Sequence, residues 1–111
     1  MRDEREREPI CVAFCFFDLP VKEKHERKAA ARFRNFLLKD GYMMVQLSVY
    51  ARICNGQDRL DKHLQRVERN LPSKGSVRAF QITDKQYERM KTLVGKRTNN
   101  EKAKAEQLVL F

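Results

Sequence analysis

Ile10-Cys11-Val12-Ala13-Phe14-Cys15-Phe16-Phe17 is apolar at every position and stops at Asp18. A strand with one wetted face would alternate. This one does not, so both of its faces need covering, as in a central strand. It is far short of the roughly 20 apolar residues that cross a bilayer, so no membrane association is expected. A charged stretch before it and Asp18-Leu19-Pro20 after it do not make a signal peptide, and a cytoplasmic protein is expected.

Downstream the period changes. Ala29, Phe33, Phe36 and Leu37 form one apolar stripe of a helix over Glu23–Lys39, with Gly41 where a left-handed cap is wanted. Met43–Ile53 then alternates, with Val45, Leu47, Val49, Ala51 and Ile53 on one side and Gln46, Ser48, Tyr50 and Arg52 on the other. Its length fits either two strands with a tight reversal or one long bent strand. Leu60, Leu64, Val67 and Leu71 predict a second helix stopped by Pro72, and Ser76–Ile82 a further strand. Thr83-x-x-Gln86 is a capping box, which starts a short helix over Asp84–Lys91.

The order βαββαβ predicts an α+β, ferredoxin-like sandwich over residues 10–94 with an extra C-terminal strand. Residues 1–9 read as a flexible charged arm, 95–106 as a polar linker and 107–111 (QLVLF) as a detached strand. Two helices cover one face of such a sheet, yet the first strand is apolar on both. The expected cover for the second face is another copy of the chain, an isologous homodimer, with the last strand able to join the partner's sheet edge.

The chain has 111 residues, 24 Lys+Arg against 15 Asp+Glu, and a formal net charge of +9. That length supports one domain and excludes a two-lobed enzyme. The charge favours a polyanionic partner held through its phosphates. Lys22, Lys24, Arg27, Lys28, Arg32, Arg34 and Lys39 crowd the first helix against only Glu23 and Glu26, and Arg59, Lys62, Arg66 and Arg69 follow on the second. Lys24, Arg27, Lys28, Arg32, Arg34, Arg52 and Arg78 are the expected nucleic-acid contacts. Nothing signals base-specific readout.

Cys11 and Cys15 are roughly 13 Å apart along a strand, too far to bridge, and with Cys54 all three read as small buried hydrophobes. His25 and His63 read as surface residues. No Gly-rich phosphate loop or Ser/His/Asp arrangement is present. Asp18, at a strand tip beside the core, is either a turn or cap aspartate or a Mg²⁺ ligand and catalytic residue. One carboxylate is a weak hard-metal site unless a symmetric dimer brings two together.

The apolar strand ending in Phe17-Asp18-Leu19-Pro20, with Glu26-Arg27-Lys28-Ala29-Ala30, Phe36-Leu37-Leu38-Lys39-Asp40-Gly41 and Gln46-Leu47-Ser48-Val49-Tyr50, resembles the CRISPR-associated Cas2 family. The variants accompanying type II systems are most similar, and Thr83–Gln86 and Leu108–Phe111 fit them too. The resemblance implies a ferredoxin-like homodimer that bridges two dimers of the Cas1 integrase and holds spacer DNA for integration into the repeat array. It also implies a Mg²⁺-dependent endonuclease acting on RNA or double-stranded DNA, with Asp18 binding the metal. By the same matching, Arg32 corresponds to a helix arginine implicated in some members, and Tyr50 to the aromatic closing the second-strand motif. The sequence departs from the family pattern at Phe17, where a tyrosine is frequent, and at Met44, where some members carry a basic residue. The alternative is a toxin-like or translation-associated RNA-binding protein of the same topology without catalysis.

Overall fold

In the computed structural model, which describes residues 9–95, the apolar run is β1 (Ile10–Asp18), with β3 (Val49–Asn55) on one side and β4 (Ser76–Thr83) on the other. With β2 (Met43–Gln46) outside β3, the sheet order is β2-β3-β1-β4 and every neighbouring pair is antiparallel. Helices α1 (Lys24–Lys39), α2 (Gln57–Glu68) and α3 (Asp84–Glu88) complete the ferredoxin-like α+β arrangement. The arm before Pro9 and the linker and last strand beyond Gly95 lie outside the described residues.

Of the two readings of residues 43–53, the tight reversal is realised. Leu47 and Ser48 form the turn, and Ser48 takes a positive φ of 64°. Leu47 therefore leaves the apolar face it was assigned to and is 81% exposed. A register irregularity between Met44 and Gln46 inserts one residue into β2. That bulge resets the phase, so Val45 still joins the face carrying Val49, Ala51 and Ile53.

Odd-numbered β1 residues Cys11, Ala13, Cys15 and Phe17 face α1 and α2, and pack with Phe33, Leu37, Tyr42, Tyr50, Cys54, Leu60 and Val67. The inward stripe of α1 runs through Ala30, Phe33 and Leu37, one position round from the Ala29 expected. At its C-terminus the Gly41 N–H donates to the Leu38 carbonyl (3.2 Å) and the Tyr42 N–H to that of Leu37 (2.9 Å), a Schellman closure with Gly41 at φ +94°. Helix α2 ends before Leu71, which is 48% exposed and not part of the stripe.

The opposite face carries Val12, Phe14, Met43 and Ala51, all buried. Part of its cover is internal, which the two-helix expectation missed. Thr83 and Gln86 form the reciprocal capping box (3.1 and 2.9 Å) that starts α3. That short helix brings Tyr87, 1% exposed, to 5.8 Å from the Phe14 ring. Phe16 and Phe80 remain 37% and 48% exposed on this face. Among the described residues, no helix is long and apolar enough to cross a membrane.

Candidate functional site

Asp18 is the last residue of β1 and lies on the face away from α1 and α2, in phase with Val12, Phe14 and Phe16. Its position is set by backbone. The Phe17 N–H donates to the Ser48 carbonyl (3.0 Å), tying the β2–β3 turn to the strand tip. Opposite Asp18 in the β4 register stands Ser76, preceded by Gly75 at φ +98°. A Cβ on Gly75 would lie 2.7 Å from the Asp18 carbonyl oxygen and 3.1 Å from Leu19 Cα, so only glycine lets the β4 entry pack this closely.

The result is an open depression lined by Phe16, Phe17, Asp18, Leu47, Ser48, Val49, Ser76 and Arg78. Among the described residues its charged groups are one carboxylate and one guanidinium, both on exposed residues, with two serines beside them. Of the expected functional residues, the fold brings Asp18 and Arg78 together here. Ser48 and Ser76 were not singled out by motif. Their only sequence signal is position, one in a turn that follows an alternating run and one at the start of a strand.

The remaining cations sit elsewhere. Lys28, Arg32, Asn35 and Lys39 line one shallow groove on the outer side of α1, at i, i+4, i+7 and i+11. Lys24 is exposed at the start of the helix. Arg27 turns back and donates to the Val21 and Lys22 carbonyls (3.2 and 2.7 Å). Arg34 is half-buried near Tyr50, where its charge offsets part of the rise that burial imposes on the phenol pKa. Arg52 points into the helix layer. Its Nε donates to the Asp40 carbonyl and its Nη1 to the Ile53 carbonyl (both 2.8 Å). This arginine staples β3 to the end of α1.

One further reading changes. His63 is not a surface residue: its Nδ1 lies 2.9 Å from Asp40 Oδ2, its side chain is 14% exposed, and Arg66 Nε holds the other Asp40 oxygen at 2.7 Å. Asp40 thus joins α1 to α2 as a buried carboxylate with two partners, the arrangement a buried charge requires. Tyr50 is 2% exposed and stacked on Phe17 (5.7 Å), a core residue remote from solvent.

For a metal, the donors at the depression are the Asp18 carboxylate and the Ser48 and Ser76 hydroxyls. All are hard oxygens. No cluster of three or more His, Cys, Asp or Glu occurs among the described residues. Hard oxygens of this kind suit Mg²⁺, which usually keeps several waters and is bound through one or two carboxylates.

The family profile described as CRISPR associated protein Cas2 matches residues 12–90, from β1 through α3, and so spans Asp18, Ser48, Ser76 and Arg78. The chain belongs to the Cas2 family. A Cas2 relative from Acidovorax ebreus, named CRISPR-associated endoribonuclease Cas2, is 55% identical over 97 residues, covering 86% of this chain and 95% of the relative. Cas2 proteins of the same name from Campylobacter jejuni and Flavobacterium psychrophilum are 47% and 41% identical over 96 residues. Each alignment covers 86% of this chain, with 67% of the first relative and 84% of the second. Among the described residues of this Cas2 chain, the strand-tip aspartate is the only carboxylate lining the depression.

Proposed function

We propose that this Cas2 chain is a nucleic-acid-binding subunit of CRISPR adaptation. As a homodimer it works with the Cas1 integrase to hold spacer DNA for insertion, and it carries a Mg²⁺-dependent phosphodiesterase centre at Asp18. The observation that carries the reading is the meeting of Asp18 and Arg78 in one open depression, although they are far apart in the chain. Asp18, with Ser48 and Ser76, would hold the metal. When bound, Mg²⁺ supplies an acidified water and neutralises phosphoryl charge. Arg78 pairs with a phosphate oxygen beside it by charge-assisted hydrogen bonding. Phe16, the direct cross-strand neighbour of Arg78, and Leu47 supply the apolar part of the lining.

The exposure of Phe16 and Phe80 supports pairing through their face, which also carries Asp18. Two copies so arranged would contribute two carboxylates. The α1 groove adds three cations on one side of the helix, Lys28 and Arg32 about 6 Å apart along its axis and Lys39 about 10 Å further on, a run that can meet backbone phosphates. The names of the relatives favour RNA as the substrate of the hydrolytic activity, and the net charge of +9 suits the phosphates of either nucleic acid.

The deciding experiment incubates the purified chain with labelled single-stranded RNA and double-stranded DNA, with and without Mg²⁺. Asp18→Asn should abolish metal-dependent cleavage while leaving the sedimentation coefficient and thermal midpoint of the protein unchanged. Metal-dependent cleavage that persists in this variant refutes the assignment of Asp18. Replacing Lys28, Arg32 and Lys39 together should reduce the slope of log affinity against log salt by about 3 on double-stranded DNA.

A further inference from the structure

The β1–β3 register sets Cys11 directly opposite Cys54. The main-chain bonds that bracket this ladder, Gly56 N–H to the Pro9 carbonyl (3.0 Å) and Phe17 N–H to the Ser48 carbonyl (3.0 Å), fall on the same odd-numbered phase. Cys11 and Cys54 are therefore a hydrogen-bonded pair, whose Cα atoms stand about 5.5 Å apart. That is the commonest Cα separation in disulfides. Both side chains point into the α1–α2 layer. Cys15, four residues along, faces Tyr50 and Ala79 instead and has no thiol across from it.

From this placement we infer that Cys11 and Cys54 are a site of oxidative modification, forming an intramolecular cross-strand disulfide with hydroperoxides as the oxidant class. A hydrogen-bonded opposed pair sits at the wide end of the range, with Cβ atoms about 5.5 Å apart, and a disulfide needs about 3.8 Å, so the strands must close by roughly 1.7 Å. Cys11 is the second residue of β1 and Cys54 the penultimate residue of β3. The ends of a ladder open and shift at the lowest cost, so the closure falls where the sheet yields most readily.

Cys54 is the first to react. Arg52 Nη1 lies 3.9 Å from its sulfur, a cation placed to favour the thiolate. That thiolate attacks one oxygen of the hydroperoxide, the O–O bond breaks, and the leaving oxygen departs as the alcohol, or as water from hydrogen peroxide. The Cys54 sulfenic acid so formed is attacked by the Cys11 thiolate, which makes the S–S bond and expels hydroxide, protonated to water. Two thiols lose two protons and two electrons in all, and the peroxide takes them up. Burial raises the Cys54 pKa despite Arg52, so the reaction is slow beside that of an exposed sensor thiol.

The reduced full-length chain is equilibrated in glutathione buffers of stepped redox potential and, separately, treated with hydrogen peroxide. Titratable thiols should fall from three to one per chain, and non-reducing peptide mapping should join the Cys11 peptide to the Cys54 peptide. Cys15→Ala should leave this link intact, and Cys54→Ala should abolish it. Thiols that stay at three through the most oxidising buffer overturn the inference. So do links through Cys15, links between chains, or sulfinic acid and glutathione adducts alone.

Discussion

Gly75 offers the most direct test of how the candidate site is held. Changing it to Ala adds a Cβ at φ +98°, 2.7 Å from the Asp18 carbonyl oxygen, 2.8 Å from Leu19 Cδ2 and 3.1 Å from Leu19 Cα. A side chain in the positive-φ region costs roughly 1–2 kcal/mol. The overlap adds about 1–2 kcal/mol, since two of the three atoms are backbone that cannot rotate away. Together these give about 2–4 kcal/mol, or a drop of roughly 8–20 °C in thermal midpoint for a domain this small.

Two other glycines separate the terms. Gly41→Ala has nearly the same φ, +94°, but its neighbours are Arg52 guanidinium atoms at 3.1 and 3.2 Å, a milder approach that a shift of a few tenths of an ångström relieves while the bonds to the Asp40 and Ile53 carbonyls hold. It should lose only the conformational part, roughly 1–2 kcal/mol. Gly95→Ala, at φ +102° with nothing within 4 Å among the described residues, should be mildest, because no described atom resists the added Cβ. The order 75, 41, 95 in urea unfolding is the expected result. Gly75→Ala as mild as Gly41→Ala would show that the β4 entry does not press on the Asp18 tip, and the account of the site geometry would fail.

Three further outcomes follow from the core. Tyr42 buries a hydroxyl with no hydrogen-bond partner among the described residues; Tyr42→Phe should therefore be neutral or stabilising by about 1 kcal/mol in chemical unfolding, and a clear loss would reveal a partner. Burial pushes the Cys15 thiol from 9.0 up to about 11. Between those values the unfolded chain gives up the proton while the folded one keeps it, so stability should fall by about 2–3 kcal/mol as pH rises through this window. The raised Cys54 and Tyr42 groups add to the same fall, and Cys15→Ala should flatten part of the slope in pH-stepped unfolding. Asp40→Asn leaves Arg66 and His63 without their shared carboxylate and should cost about 1–3 kcal/mol, below the full cost for a buried pair because Arg66 is 47% exposed. An unchanged urea midpoint would show that this ion pair does not tie α1 to α2.

Local pattern was enough to identify the elements. The unbroken apolar run of β1, the stripe of α1, the glycine at its end and the Thr83–Gln86 box are each written within a few consecutive residues. Backbone periodicity alone decides which way such side chains point, so Asp18 was readable as a strand-tip carboxylate and Arg52 as facing away from Val45. What could not be read was which distant residues would meet. Asp18 acquires Arg78 and Ser76 only through the β1–β4 register, and Ser48 only because a bulged hairpin folds its turn back onto Phe17. The same holds for the cations, where sequence shows charge but not competition among acceptors. Arg52 found carbonyls of the helix end and His63 found Asp40, while Lys28, Arg32 and Lys39 were left to solvent. A side chain's partner depends on atoms brought near by the whole fold, and only the tertiary structure contains that information.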